Sequence, residues 1–534
     1  MSEIGASAYF PTSLLPPGPV NTAAPPLHLL LELDETAAET LKREAPLLLQ
    51  PARRPVTRRL RQVFWDTAQH RIGRLGFALG TQTHGQRRQQ ILREIRMLPA
   101  GGRFLVERLG PLDGEALDVT RLAFLPGIDP ATVAEIAGDM LVPLFGIDLV
   151  RTQWRIGVED TQVTVTLESA LIEAPGGRES ILQLDLALAG GPPDGIYRLA
   201  RRLLGAIPLR LASADPAQRG YLLATGTPAW KDGTEAALSP EMTVRQGIVA
   251  IGRAGAAAVR TTVSLLPSAL APEPIHQARV SLRRLRSALS VFKSALPPFS
   301  TRQFGAALGD FARLLGEARE WDVWLDGTIE PLRAALDERD PVLDQLADAA
   351  RAERDIAALA VADAATGREF VLLALGLGAW FDADIWPETP TDEAAALLAS
   401  PLLDFARRLL RKRHRKLVAA AEGAATADAG QLHVLRIEAK RLRYAVEFLR
   451  PLFPAKPVRR YVDALKSIQD ILGTANDAVV ARRLIPHLAE ADAATKARAA
   501  GLVAGWTAAE ATNARRRFAE AWEDFTGAKK FWKE

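Results

Sequence analysis

The stretch HQARVSLRRLRSALSVF, residues 276–292, decides how the chain is read. It returns as HVLRIEAKRLRYAVEFL, residues 433–449, and the two align without a gap. His276 falls on His433, Arg279 on Arg436, Arg283 on Lys440, Arg284 on Arg441 and Arg286 on Arg443, at a constant offset of 157 residues. The same offset carries Leu315-Gly316 onto Leu472-Gly473 and Arg319-Glu320 onto Asn476-Asp477. Self-similarity sustained at one spacing is an internal repeat.

Each copy reads as an amphipathic helix. At about 100° per residue, Leu282, Leu285, Leu289 and Phe292 share one apolar stripe, and Leu435, Leu442, Val446 and Leu449 share another, so both stripes face a core. Away from the stripe His276, Arg279, Arg283 and Arg286 gather, with Arg284 beside them. His433, Arg436, Lys440 and Arg443 repeat the arrangement, with Arg441 beside them. The first copy contains no acidic residue at all. Like charges three or four residues apart repel by a few tenths of a kcal/mol per pair, so a bound anion would relieve the cluster. One basic helix face is ordinarily a solvated face. Two, each led by histidine and charged at the same offsets, point to a shared anion site. Arginine suits it, because its planar fork stays charged and makes paired hydrogen bonds to phosphate.

The doubled pattern H-x-x-R-[VI]-x-x-[RK]-R-L-R, with L-G-x-x-[RN]-[DE] after each copy, resembles the CHAD domain, the conserved histidine α-helical domain. The resemblance runs from about Pro240 to the C-terminus. It implies two four-helix bundles related by a pseudo-twofold, a basic central pore, inorganic polyphosphate as ligand, and recruitment to polyphosphate granules. Glu320 stands where the family usually has aspartate, and Asn476-Asp477 is the usual second-copy variant. The expected binding set comprises the two clusters above together with Arg319. The run FARRLLRKRHRK, residues 405–416, is the densest basic segment of the chain, and Arg408, Arg411 and Arg415 fall on one face of it. They are expected to join the same groove. Helices are expected over about 241–266, 276–295, 301–328, 331–364 and 497–518, with 382–391 separating the repeats. The aromatic tail through Trp522, Phe525, Phe531 and Trp532 reads as core or interface.

The first 225 residues read differently. Segments 27–34, 60–67 and 77–81 read as strands, and 35–45 as a helix. Residues 162–167 and 181–188 alternate apolar and polar side chains with the period of two of a half-buried strand, and Gly-Gly and Pro-Pro pairs punctuate them. The unit is α+β with mostly antiparallel strands. Phe64-Trp65-Asp66-Thr67, the element Leu75-Gly76-Phe77-Ala78-Leu79, Arg151 with Trp154, and the stretch from Ser213 to Tyr221 resemble the CYTH superfamily, the triphosphate tunnel enzymes. That resemblance implies a tunnel-like antiparallel barrel. Its catalytic residues are missing. The E-x-E-x-K positions appear as Pro26, His28 and Leu30, and the R-x-R pair as Gly80 and Gln82. The later E-x-E-x-E strand appears as Gln183, Asp185 and Ala187, and the final S-K as Ser213-Ala214. Hard cations need several oxygen ligands, and without a metal or a cationic clamp phosphoryl transfer loses its main electrostatic help. No catalytic residue, metal site or cofactor is expected.

The expected organisation is a flexible tail over 1–24, a CYTH-like domain over 25–224, a linker over 225–240 and an all-α CHAD domain over 241–534, with repeats at about 241–381 and 392–534. Among 534 residues there is no cysteine, which excludes disulfides and thiolate metal sites and fits a reducing cytoplasm. Formal charge is only +4 at a sequence pI of about 9.3, so the basicity is local. The seven histidines show no metal-ligand spacing. No run reaches the about eighteen apolar residues needed to cross a bilayer, and the N-terminus lacks the basic and apolar regions of a secretory signal.

The sequence thus predicts a cytoplasmic, non-catalytic polyphosphate-binding protein, with granule-associated proteins as further partners. Three rivals stand against it. Nucleic acid shares the phosphates, but the basic helices carry no interleaved aromatics for stacking beyond Tyr444. A triphosphatase in the N-terminal unit would release phosphate from tripolyphosphate with metal. An acidic protein could occupy the basic face.

Overall fold

The computed structural model describes residues 27–533 except 52, 98–101, 113–116, 125–129, 213, 227–235, 269, 337–339, 382, 387, 423–428 and 489–491. The expected tail at 1–24, Pro26, Ser213 and most of the expected linker lie outside the described residues.

The N-terminal half begins with β1 (Leu27–Glu32), α1 (Glu35–Leu48), β2 (Val56–Thr67) and the single turn α2 (Arg71–Arg74). It continues through β3 (Phe77–His84), β4 (Arg87–Met97), β5 (Gly102–Pro111), α3 (Pro130–Ala137), β6 (Leu141–Val158), β7 (Thr161–Ala174) and β8 (Gly177–Gly190). It ends with α4 (Asp194–Ala206), the short β9 (Arg210–Leu211) and α5 (Pro216–Thr225). Neighbouring strands are antiparallel, in the order β5-β4-β3-β2-β6-β7-β8-β1-β9, and β1 also pairs with β5. That last pairing closes eight strands into a barrel and removes the exposed sheet edge.

Alternation sorts the side chains. Leu27, Leu29 and Leu31 point outward with Trp154, Val165 and Leu186 and are buried with residues of α1 and α4. Asp34 caps α1 by accepting from the Ala37 amide at 2.7 Å. On the inner face one end is filled by Phe64, Phe145, Ile172 and, from α5, Ala217 and Tyr221. Gly220 lets α5 approach: a Cβ there would lie 2.2 Å from the Phe145 ring. The rest of the lumen is mostly polar, with Leu30 and Ala187 among its side chains.

The C-terminal half is helical: α6 (Val244–Ser264), α7 (Pro272–Val291), α8 (Pro298–Trp324), α9 (Glu330–Ala335), α10 (Pro341–Thr366), α11 (Arg368–Phe381), α12 (Asp392–Ala399), α13 (Leu402–Ala420), α14 (Ala429–Leu449), α15 (Ala455–Leu484) and α16 (Ala493–Gly527). Helices α6, α7, α8 and α10 form one bundle, and α13 to α16 form its repeat. The main contacts between them join each helix to its own counterpart, α6 to α13, α7 to α14, α8 to α15 and α10 to α16. A twofold axis gives that self-matching. The single helix expected over 331–364 is instead two, because the chain breaks after Ala335 and restarts at Pro341, capped by Asp340, whose carboxylate accepts from the Val342 amide at 2.9 Å. Helix α11 was not anticipated. Its Val371 and Leu375 belong to the apolar core beneath α1 and α4, while Phe370, Leu373, Leu377, Trp380 and Phe381 belong to the core of the bundles.

Candidate functional site

Burial of Leu282, Leu285 and Leu289 fixes the rotation of α7, so His276, Arg279, Arg283 and Arg286 lie along one flank. The neighbouring helix is shaped to receive them. A Cβ on Gly316 would stand 2.8 Å from Arg279 Nη1, and one on Gly309 would stand 3.3 Å from Arg286 Nη2. Two glycines two turns apart on α8 therefore admit two arginines two turns apart on α7. Across the seam, Arg283 Nε donates to the Tyr444 hydroxyl of α14.

The charges in this place are not balanced locally. His276 has its proton affinity lowered by burial and by Arg319, Arg283 and Arg279, against a weaker opposing pull from Glu273. Arg279 is lowered as well, by burial and by Arg283, Arg319 and Arg436, with Glu320 opposing. An arginine destabilised as a cation by three others, one of them from the second repeat, marks a strongly positive site. Beside it a cleft of about 230 Å³ is lined by Arg283, Arg286, Arg413, Arg441, Ser287, Ser290, Val291 and Tyr444. Arg413 is lowered by burial and by Arg441, with Glu438 opposing.

The other expected residues divide. Arg284 leaves the group: its guanidinium is 3.0 Å from Glu447 and 5.6 Å from the Phe448 ring centre. Arg443 is 2.9 Å from the same Glu447. Arg441 also touches Glu438, and Arg319 lies 3.7 Å from the buried Asp322, which Arg354 approaches to 3.1 Å. Glu320 is paired with Arg483 across the repeats. Arg436 and Lys440 are half-buried, and His433 is exposed on α14. Arg408, Arg411 and Arg415 stand exposed on α13, about half a helical turn away from Arg413, which the described cleft takes from that helix instead. The side chains of Asn476 and Asp477 lie outside the described residues. Sequence reading passed over Arg413, whose only sign is its place between Leu410 and Leu417, both buried.

His414 follows the basic run but belongs to the core. It lies among Tyr461, Phe525 and Trp532, its Nδ1 is 2.8 Å from the Tyr461 hydroxyl, and burial, with Lys530 and Lys533, pushes its pKa down to about 4. The aromatic tail is core, as its composition suggested.

In the barrel, cross-strand register puts His28, Leu30, Gly80, Gln82, Gln183, Asp185 and Ala187 on the lumen face. His28 Nδ1 is 2.9 Å from Asp185, Gln62 donates to Gln82 at 2.7 Å, and Gln183 donates to the Ala214 carbonyl at 2.7 Å. Arg93, 3% exposed, meets Glu107 at 2.7 Å, and Arg151 meets Glu168 at 2.7 Å. Burial alone would lower the proton affinity of Arg93, but Glu107, Asp215 and Glu168 raise it. Asp66 is a structural cap. It accepts from the amides of Thr67, Ile72 and Gly73 at 2.7–2.9 Å and from the Tyr221 hydroxyl at 3.3 Å.

Residues 253–486 match the family described as CHAD domain. Among solved structures, the chain is similar to the CHAD domain from the plant Ricinus communis, at 28% identity and a TM-score of 0.47, over 55% of this chain and 96% of that one. It is similar to PptA from Streptomyces chartreusis at 18% identity and a TM-score of 0.41, over 53% and 100%. A putative adenylyl cyclase from Hippeastrum, described as having a dominant triphosphatase activity, is similar at 18% identity and a TM-score of 0.28, over 38% and 96%. On the family match, the chain carries a CHAD domain over residues 253–486, and the antiparallel β-barrel precedes it.

Proposed function

We propose that the helical domain binds inorganic polyphosphate along the cationic flank of α7 and across the seam to α13 and α14, without hydrolysing it. The observation that carries this is geometric: Arg283, Arg286, Arg413 and Arg441 line one cleft, with Arg279 and Arg286 seated against glycines of α8 beside it. Burial first, and the neighbouring arginines second, lower the proton affinity of His276 and Arg279 there. Such a cluster is stabilised by a ligand that brings regularly spaced negative charge and needs no base or sugar to be read. Polyphosphate is that ligand, and its association is fast, steered and weakened by salt. The β-domain acts on this reading as a structural or partner-binding unit. Charged groups of its lumen are engaged with one another, in the pairs His28–Asp185, Arg93–Glu107 and Arg151–Glu168. The protein would be held at cytoplasmic polyphosphate granules by this interaction.

The test is a titration of the purified protein with long-chain polyphosphate, with and without magnesium, following binding and phosphate release together. A variant carrying His276→Ala, Arg283→Ala and Lys440→Ala runs beside it. Salt-sensitive binding that the variant loses, with no phosphate released, is the expected result. Unchanged binding by the variant moves the site elsewhere, and magnesium-dependent release makes the β-domain a triphosphatase. RNA that displaces short polyphosphate at equal phosphate concentration overturns the choice of ligand.

A further inference from the structure

The pseudo-twofold should give the cationic cleft a twin. Moved by 157 residues, Ser290, Val291 and Arg441 of the cleft become Glu447, Phe448 and Arg284. Those three line a second cavity, of about 360 Å³, on the adjacent flank of α7. Arg413 of the cleft has Ala256 as its counterpart, so the twin has one cation fewer, and a second difference bears on its charge. Where the cationic cleft has the hydroxyl of Ser290, its counterpart has the carboxylate of Glu447, 3.0 Å from Arg284 and 2.9 Å from Arg443. Arg443 is itself the counterpart of Arg286, which lines the cationic cleft. A carboxylate held between two guanidinium groups makes the contacts that a phosphate oxygen pair would make. Its own exposure is 17%, whereas Arg284 and Arg443 remain 44% and 24% exposed, within reach of solvent and of a ligand.

We infer that Glu447 is a built-in anion, filling the phosphate position that pseudo-symmetry would otherwise repeat, so that a polyanion engages one cleft and not two. This rests on the polyphosphate reading and adds to it a determinant of how many phosphates are bound. The second cavity is a phosphate subsite that the protein's own side chain keeps closed, and loss of that side chain opens it.

The experiment compares the full-length protein with Glu447→Ser, which installs the residue of the other repeat, with Glu447→Gln, and with Ser290→Glu, which places a carboxylate at the exposed position in the cationic cleft. Binding of long-chain polyphosphate is measured over a series of salt concentrations. Freeing two cations should steepen the fall of log K with log salt by roughly 1.4 and tighten binding about tenfold at low salt for Glu447→Ser and Glu447→Gln. Ser290→Glu should weaken binding and flatten the slope. Wild-type affinity and slope in both Glu447 variants, with the wild type binding normally, overturn the inference and leave the polyphosphate reading standing. Absence of binding in the wild type and in Glu447→Ser overturns both. Melting temperatures check folding, and a well-folded Glu447→Ser with weakened binding makes Glu447 a support for Arg284 and Arg443, against the inference.

Discussion

Substituting Gly316 by alanine should separate binding from stability. The glycine sits inside α8, where alanine is favoured by about 1 kcal/mol, so the helix itself gains. The added Cβ, however, would fall 2.8 Å from Arg279 Nη1, a distance no such contact sustains. Because Nη1 is the end of a long flexible side chain, the guanidinium swings away and the backbone stays. The loss is therefore one charge-assisted contact to phosphate, about 1.5–3 kcal/mol, or roughly 10- to 100-fold in affinity. Anisotropy of labelled polyphosphate at fixed salt reads the affinity, and a thermal melt reads the fold. Gly473→Ala is the control, because no atom lies within 4 Å of its Cβ, and it should bind as the wild type does. Gly316→Ala with normal binding, or with binding and melting temperature falling together, would refute the reasoning.

Three further outcomes are expected. Phosphate raises the proton affinity that burial and Arg319, Arg283 and Arg279 depress at His276. Polyphosphate binding should therefore take up a proton and strengthen as pH falls towards the ordinary histidine pKa of about 6.5 and below it, and His276→Ala should flatten the profile. His414, at about 4 in the fold against 6.5 when unfolded, contributes stability that is complete above pH 6.5. From there down to about pH 4 it loses about 1.4 kcal/mol per pH unit, a slope that denaturation of His414→Leu at matched pH values should lack. Asp66→Ala strips the acceptor from three buried amides and Tyr221. It should lower stability by about 3 kcal/mol or more in calorimetry, while polyphosphate binding persists below the transition.

The repeat was legible because sequence offset and spatial symmetry are one relation here: helices 157 residues apart touch their own counterparts. The barrel lumen was legible for a similar reason, since period-two alternation fixes which side His28, Gln183 and Asp185 face once the register is set. What periodicity does not carry is the identity of the neighbours. Arg284 and Arg283 are adjacent in sequence, yet a rotation of about 100° sends one to Glu447 and the other to Tyr444. Arg413 was hidden in a run where every candidate is basic, and only the burial of Leu410 and Leu417 selects it. Helix α11 went unread because Val371 to Phe381 is apolar on all sides, and a helix buried on two sides shows no stripe.

That all-round apolar helix has a mechanical consequence. With Val371 and Leu375 in one core and Phe370, Leu377 and Trp380 in the other, α11 cannot unfold without opening both. The barrel and the bundles should then melt as a single cooperative unit. A polyanion bound on the bundles should then stabilise the whole by mass action and raise amide protection in strands β1 and β8 of the barrel.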